Sequence, residues 1–164
     1  MNNPCIFSPG RKYRYMLKHR WDELMPENTL LWIGLNPSTA DENVLDPTLR
    51  RIKAFSVREG YSAFIMCNLF AFRATNPKDM LAQSDPVGPW NDGHILDFLA
   101  ACRGKVVACW GTDGNHHNRA EIVMRLLRLH SAEILCLGRN LNKTPKHPLY
   151  VKGDAPLVPY KLGK

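Results

Sequence analysis

The stretch Thr29-Leu30-Leu31-Trp32-Ile33-Gly34-Leu35-Asn36-Pro37-Ser38 is the most informative part of the chain. An apolar run that ends in a glycine, a polar side chain and a proline is typical of an α/β protein, which presents ligand-binding groups at the carboxyl ends of its strands. Gly34 lets the backbone turn or approach a ligand closely. Pro37 ends the strand and biases Asn36 toward extended geometry. The same residues would also make an ordinary turn, because Asn-Pro-Ser is common turn chemistry.

Length and composition predict one globular domain that spans residues 1–164. The chain has 164 residues, of which 45% are hydrophobic, and this is enough for a substantial core. No apolar run approaches the roughly 18 residues of a membrane span, and the first residues lack the charged and apolar segments of a signal peptide. We therefore expect a cytoplasmic protein with no membrane partner. A monomer is favoured, although the sequence leaves the oligomeric state open.

The five cysteines indicate a reduced protein without a metal centre. Their number is odd, and none forms a C-x-x-C pair. Cys67, Cys109 and Cys136 lie inside apolar runs, where a free thiol behaves as a small buried hydrophobe. The adjacent pair His116-His117 is a poor chelate, because neighbouring residues do not share a helix face. We expect no metal and no cofactor.

The charge of the chain indicates an anionic partner. The formal net charge is +7 and the sequence pI is about 9.3, which favours nucleic acid. Any one basic cluster could equally be a solvated surface. The basic residues fall into three clusters: Arg11, Lys12, Arg14, Lys18, His19 and Arg20; then Arg50, Arg51, Lys53 and Arg58; then Lys143, Lys146, Lys152, Lys161 and Lys164.

Apolar periodicity predicts strands that alternate with helices. This order is typical of an α/β fold with a parallel sheet between two layers of helices. Asp46 is predicted to cap a helix that starts at Pro47. The predicted strands are 12–18, 30–35, 63–67, 105–110 and 134–137, and the predicted helices are 47–59, 75–82, 91–102 and 116–130.

Polar residues follow each central strand. Asn36 follows the first, Asn68 the second and Gly111-Thr112-Asp113 the third, while the fourth leads to a loop with His147-Pro148. Parallel strands bring these loops around one crevice. A single Asn or His is more often a turn former, and the prediction of a site depends on their convergence.

Two resemblances extend this interpretation. The motifs Asn36-Pro37-Ser38-Thr39-Ala40-Asp41, Asp46-Pro47-Thr48, Asn68-Leu69-Phe70, Trp110-Gly111 and His147-Pro148-Leu149-Tyr150 resemble a bacterial and phage family known as a domain of unknown function. More distantly, four motifs resemble the uracil-DNA glycosylase superfamily: Ile33-Gly34-Leu35-Asn36-Pro37, Asn68, Trp110-Gly111 and His147-Pro148. The first is most similar to the mismatch-specific and thymine-DNA branches, and the last two are similar to the classical uracil enzymes. The second resemblance implies a three-layer α/β/α fold with a central, mainly parallel four-stranded sheet and an N-terminal strand or hairpin.

The glycosylase resemblance also implies a reaction, namely cleavage of the N-glycosidic bond of a nucleotide flipped out of the stack, in DNA rather than RNA. Asn36 would orient the attacking water, with Asp41 as a candidate activator, and His147 would stabilise negative charge on the leaving base. Asn68 would read the base edge. The rest of the predicted base pocket is Gly34, Leu35, Pro37, Ser38, Phe70 and Trp110, and the predicted phosphate contacts are Gly111, Thr112 and Lys146.

Two departures from the superfamily pattern leave other functions open. Leu149-Tyr150 replaces the serine-rich tail that grips DNA in the classical enzymes, and Ser38 stands where mismatch-type enzymes carry glycine. These differences argue against plain uracil as the substrate and leave a modified base open. The alternatives are a nucleic-acid-binding module without catalysis, and a hydrolase or transferase that acts on free nucleosides or nucleotides.

Overall fold

The computed structural model describes residues 3–38 and 43–162, and it confirms the predicted α/β class. The strands are β1 (Cys5–Phe7), β2 (Arg14–Arg20), β3 (Thr29–Gly34), β4 (Ala63–Asn68), β5 (Lys105–Ala108), β6 (Glu133–Cys136) and β7 (Val158–Pro159). The helices are α1 (Pro47–Arg58), α2 (Pro77–Leu81), α3 (Asn91–Ala101) and α4 (Arg119–Leu129).

The strands form one mixed sheet in the order β1-β2-β4-β3-β5-β6-β7. Strands β4, β3, β5 and β6 run parallel to one another, as predicted for the central strands. The sheet is larger than the predicted four strands. The predicted N-terminal hairpin, β1 and β2, joins one edge of it, and β7, which was not predicted, extends the other, all antiparallel. Strand β7 has two residues and ends in a proline, so it carries no alternation that sequence could reveal.

Helices cover both faces of the sheet. On β3, Leu31 and Ile33 join the core cluster that contains residues of α3 and α4. The alternate residues, Leu30 and Trp32, join the cluster that contains residues of α1. This explains why β3 lacks polar residues, since a strand buried on both faces reads as a continuous apolar run.

The local signals at helix starts were reliable at α1 and misleading at α4. Asp46 caps α1 as predicted, with its Oδ1 accepting from the Leu49 N–H at 2.8 Å. The predicted start of α4 at His116 is wrong. His116 is extended, and His117 and Asn118 are left-handed, so residues Thr112–Asn118 form a kinked 3-10 segment and the α-helix begins only at Arg119.

None of the helices in residues 3–38 and 43–162 has the length and apolar character needed to cross a bilayer.

Candidate active site

A cavity of about 360 Å³ opens at the carboxyl ends of the parallel strands. Its volume falls in the range of small-molecule and base-sized sites, about 300–1,000 Å³. The structure brings nine of the residues predicted from sequence to its wall: Gly34, Leu35, Asn36, Ser38, Asn68, Trp110, Gly111, Thr112 and His147. The crevice that the strand ends were expected to form is therefore present.

Gly34 and Asn68 lie side by side in the cavity wall. They are partners in the parallel register of β3 and β4, at the last residue of each strand. A Cβ at position 34 would lie 2.9 Å from the Asn68 Oδ1 and 2.5 Å from the Met66 Cε. Only glycine leaves room for the Asn68 side chain here, so Gly34 is required by a close approach and not by a turn.

The carboxamide of Asn68 is buried and unsatisfied. The residue is 2% exposed, and neither its Nδ2 nor its Oδ1 has a hydrogen-bond partner within the described parts of the chain. Buried polar atoms nearly always have partners, and leaving one unpaired costs about 1–3 kcal/mol. Because Asn68 also lines the cavity, this unused donor and acceptor lie beside the ligand space.

Asn36 is oriented by its own amide nitrogen. The Nδ2 donates to the Ala74 carbonyl at 2.9 Å and to the Pro37 carbonyl at 3.1 Å. These bonds use both N–H donors of the amide, and they show which of its two terminal atoms is the nitrogen and which is the oxygen. Within the described ranges, no group donates to that oxygen. Asn36 can therefore present a fixed acceptor to the cavity.

His147 presents a donor to the same cavity. Its Nδ1 accepts from the Leu149 N–H at 3.2 Å, so in the neutral ring the proton is on Nε2. Burial lowers the pKa of His147 from its ordinary value, although the Asp46 carboxylate acts in the opposite direction. The side chain is thus a neutral imidazole whose Nε2–H can donate to a ligand near neutral pH.

Ser38 and Asp46 connect the Asn36 loop to α1. The Ser38 Oγ donates to the Asp46 Oδ2 at 2.7 Å, while the other carboxylate oxygen caps the helix. Asp46 also lines the cavity, so it combines its structural role with a position beside the ligand space. Asp41, the predicted water activator, lies outside the described residues.

Three predicted residues lie away from the cavity wall. Phe70 is fully buried in the core, with its ring 5.8 Å from that of His116, so it cannot stack on a ligand. Pro37 is buried behind the Asn36 loop, where its carbonyl accepts from Ala74. Lys146 lies beside Gly138, near the end of β6. The sequence alone does not show in which direction a single aromatic or basic side chain next to a motif points.

Gly111 lines the cavity in a conformation that requires glycine. Its φ of 75° and ψ of −151° are inaccessible to residues with a Cβ. Its N–H donates to the Pro145 carbonyl at 3.0 Å, so this amide does not serve as a phosphate donor. The bond instead joins the loop after β5 to the segment that carries His147.

The sequence interpretation missed several residues of the cavity wall, notably Arg14, Thr75 and Tyr150. Arg14 is part of the first basic cluster of the sequence, yet it is 2% exposed, and burial lowers the pKa of its guanidinium. Tyr150 is 81% exposed, with its ring 5.5 Å from that of His147. Strand alternation gave no signal for Arg14, whose position depends on the sheet edge built by β1 and β2.

The buried cysteines provide no nucleophile. Cys67 and Cys109 are buried, and burial raises the pKa of both thiols. The pKa of Cys102 is raised to about 11 for the same reason. These groups stay protonated near neutral pH and lack thiolate reactivity. Within residues 3–38 and 43–162, no three His, Cys, Asp or Glu side chains are grouped so that they could hold a metal ion.

The fold and the site define an α/β protein with a polar cavity at the carboxyl edge of its parallel strands. The model of the family described as protein of unknown function DUF1643 matches residues 14–149, so the chain belongs to that family. The first of the two predicted resemblances is thereby confirmed. No curated protein matches the chain significantly. No solved structure does so either.

Proposed function

We propose that this protein is a DNA-glycosylase-like hydrolase that cleaves the N-glycosidic bond of a flipped-out base, modified bases included. The observation that carries the proposal is the buried, unpartnered carboxamide of Asn68 in the wall of a base-sized cavity. Asn36 and His147 line the same cavity. Their order along the chain is also the order of the uracil-DNA glycosylase motifs that they resemble.

Asn68 fits the edge of a nucleobase. Its Nδ2 can donate to a ring carbonyl while its Oδ1 accepts from the neighbouring ring N–H, which is the alternation on a pyrimidine Watson–Crick edge. An amide buried without a partner discriminates strongly, because a ligand that lacks the matching groups leaves it unsatisfied. The same cost predicts that an apolar ligand binds weakly.

His147 and Asn36 supply the two further requirements of the reaction. As the C1′–N bond breaks, its electron pair moves onto the base, and the Nε2–H of a neutral His147 can donate to a base oxygen that gains this charge. A water adds to C1′, and its proton ultimately goes to solvent or to the departed base. The Oδ1 of Asn36 can accept from this water and orient it, whereas an amide is too weak a base to remove the proton.

Two basic segments that each contribute a residue to the cavity wall, α1 with Leu49 and the segment after β6 with His147, favour a nucleic acid over a free nucleoside. We call the two segments together the basic face; their basic residues are Arg50, Arg51, Lys53 and Arg58 in α1 and Arg139, Lys143, Lys146 and Lys152 after β6. The sequence has no acidic residue between Asp46 and Glu59, or between Glu133 and Asp154. The two parts are in contact, because Arg51 donates to the Pro148 carbonyl at 3.1 Å. A free nucleoside would have no use for such a surface.

The direct test is the formation of abasic sites. Purified protein is incubated with single- and double-stranded DNA that carries uracil, mismatched thymine or modified pyrimidines, and strand breakage is measured after alkaline treatment. We expect product on at least one substrate. Asn36→Ala and His147→Ala should each lower kcat by about 100-fold or more while the circular dichroism spectrum is unchanged.

Two other outcomes of these experiments would identify a different function. If no DNA gives product but duplex binding is tight and falls steeply with salt, the protein is a binding module. If free nucleosides are cleaved and duplex is not bound, it is a nucleoside hydrolase. Full activity of both the Asn36→Ala and His147→Ala variants would disprove the assignment of the site.

A further inference from the structure

We infer that Asn91 and Arg119 are positioning residues that hold the Asn68 carboxamide in its ligand-binding orientation. Both are buried polar residues in the described chain, with exposures of 0% and 3%. Both lie at the first residue of a helix, Asn91 in α3 and Arg119 in α4. Neither lines the cavity, and they act on it through the backbone.

The two side chains bind the carbonyls that follow β4. The Asn91 Nδ2 donates to the Asn68 carbonyl at 2.9 Å and to the Leu69 carbonyl at 3.1 Å. The Arg119 Nε donates to the same Leu69 carbonyl at 2.7 Å. Asp92 in turn forms an ion pair with the Arg119 guanidinium and holds it in place. Two successive carbonyls are thus fixed by one buried amide and one buried cation.

The N–H groups of the same segment are fixed from the opposite side. The Leu69 N–H donates to the Gly34 carbonyl at 2.9 Å, and the Phe70 N–H donates to the Leu35 carbonyl at 3.0 Å. The peptides after Asn68 are therefore held between the end of β3 and the starts of α3 and α4. This arrangement leaves the backbone at Asn68 little freedom to rotate.

The orientation of Asn68 depends on this segment because its side chain has no other anchor. Within the described chain, no hydrogen bond fixes its carboxamide. Its direction is set by the backbone, by the contact with Gly34 and by packing. Binding groups that are preorganised by supporting residues lose less entropy when the ligand arrives.

The cost of burying Arg119 argues against a merely structural role. A buried cation must be compensated, and an apolar side chain of similar volume often gives equal or greater stability. One carbonyl at a strand end could be satisfied by a neutral donor. We therefore assign to the Arg119–Asp92 pair and to Asn91 the role of holding the Asn68 carboxamide in position. Their effect on the orientation of Asn68 is independent of the proposed function, whereas their importance for turnover rests on it.

The orientation can be measured without any substrate. In ¹⁵N-labelled protein, the side-chain NH₂ pair of Asn68 is assigned by its disappearance in Asn68→Asp. We expect Arg119→Met to broaden this pair or move it toward random-coil shifts, and Arg119→Lys to restore it in part. Arg125→Met is the matched control, since Arg125 is an exposed arginine of the same helix, and it should leave the pair unchanged.

Milder variants keep the test decisive if Arg119→Met does not fold. Asp92→Ala removes only the ion-pair partner at a half-exposed position, and Asn91→Ala removes two donors without adding a charge. Each should move the Asn68 pair in the same direction. An unchanged Asn68 pair in the folded variants would overturn the inference.

Activity gives the second readout. On a substrate cleaved by the wild type, we expect Arg119→Lys to lower kcat/KM by about 10-fold and Asp92→Ala by a similar factor. Arg125→Met should be fully active. If the wild type cleaves no substrate while the Asn68 pair still responds to Arg119, the proposed function fails and the positioning role stands.

Discussion

The carboxamide of Asn68 fills the volume that a Cβ on Gly34 would need, because that Cβ would lie 2.9 Å from the Asn68 Oδ1. The two residues are register partners at the ends of β3 and β4. The absence of a side chain at one position therefore makes room for the candidate base-reading group at the other. Within the described residues, neither end of that group has a hydrogen-bond partner.

Gly34→Ala should destabilise the protein by about 1–3 kcal/mol, as is typical of an extra methyl forced into a packed site. The added Cβ would also collide with the Met66 Cε, at 2.5 Å, so two side chains must move. The free energy of unfolding from urea titration measures the effect. Gly93→Ala is the matched control, because Gly93 lies in α3 with open space around its Cβ position. It should raise stability by about 0.5–1 kcal/mol. Equal effects of the two substitutions would contradict the close contact.

Asn68→Leu should separate stability from function. Replacing an unsatisfied buried amide with an apolar side chain of similar volume removes its desolvation cost. We expect the melting temperature to be unchanged or higher, while turnover or base binding falls by about 100-fold or more. A thermal melt and a binding titration with a free pyrimidine base check the two parts. A clear loss of stability would mean that the carboxamide has a structural partner.

Protonation of His147 should make stability decrease at acid pH. In the unfolded chain its pKa is near the ordinary value of about 6.5, whereas burial lowers the pKa in the folded protein. Between these two values the unfolded chain binds more protons, so the free energy of unfolding falls as the pH decreases through that window. His147→Gln keeps a donor near Nε2 and removes the titration. Its stability should therefore fall less than that of the wild type from about pH 7.5 to about pH 5.

A second histidine contributes to the pH dependence of stability in both the wild type and His147→Gln. His19 is also partly buried, and burial lowers its pKa in the folded state. His19 should therefore contribute a similar slope to the wild type and to His147→Gln. An NMR titration of the His147 ring separates the two residues. A midpoint at or above the ordinary value would contradict the prediction.

Charge on the basic face should control the salt dependence of DNA binding. Arg50 and Lys152 are exposed in its two parts. If each neutralises one phosphate, Arg50→Gln and Lys152→Gln should each reduce the slope of log K against log salt by about 1. Arg125→Gln removes an equally exposed charge from α4, on the opposite side of the sheet, and should leave the slope unchanged. Fluorescence anisotropy with a labelled duplex measures all four proteins.

Much of the fold could be predicted from local patterns in the sequence. The central strands were predictable because burial on both faces leaves uninterrupted apolar runs, as in Leu30 to Ile33. The start of α1 was predictable because a cap is a contact between neighbours, Asp46 and Leu49. The start of α4 was not, because the left-handed backbone at His117 and Asn118 depends on packing of the loop.

The sequence by itself determined the α/β class, the strand ends and the polar residues that follow them, because hydrophobic period and turn chemistry act over a few residues. Only the tertiary structure decided which of those residues share a cavity. It brought Asn36, Asn68 and His147 together, buried Phe70 in the core and placed Arg14 in the wall. The physical reason is that cavity walls are built from contacts between residues far apart in the chain. The direction of each side chain there depends on neighbours such as Gly34 and Asn91 that no local pattern identifies.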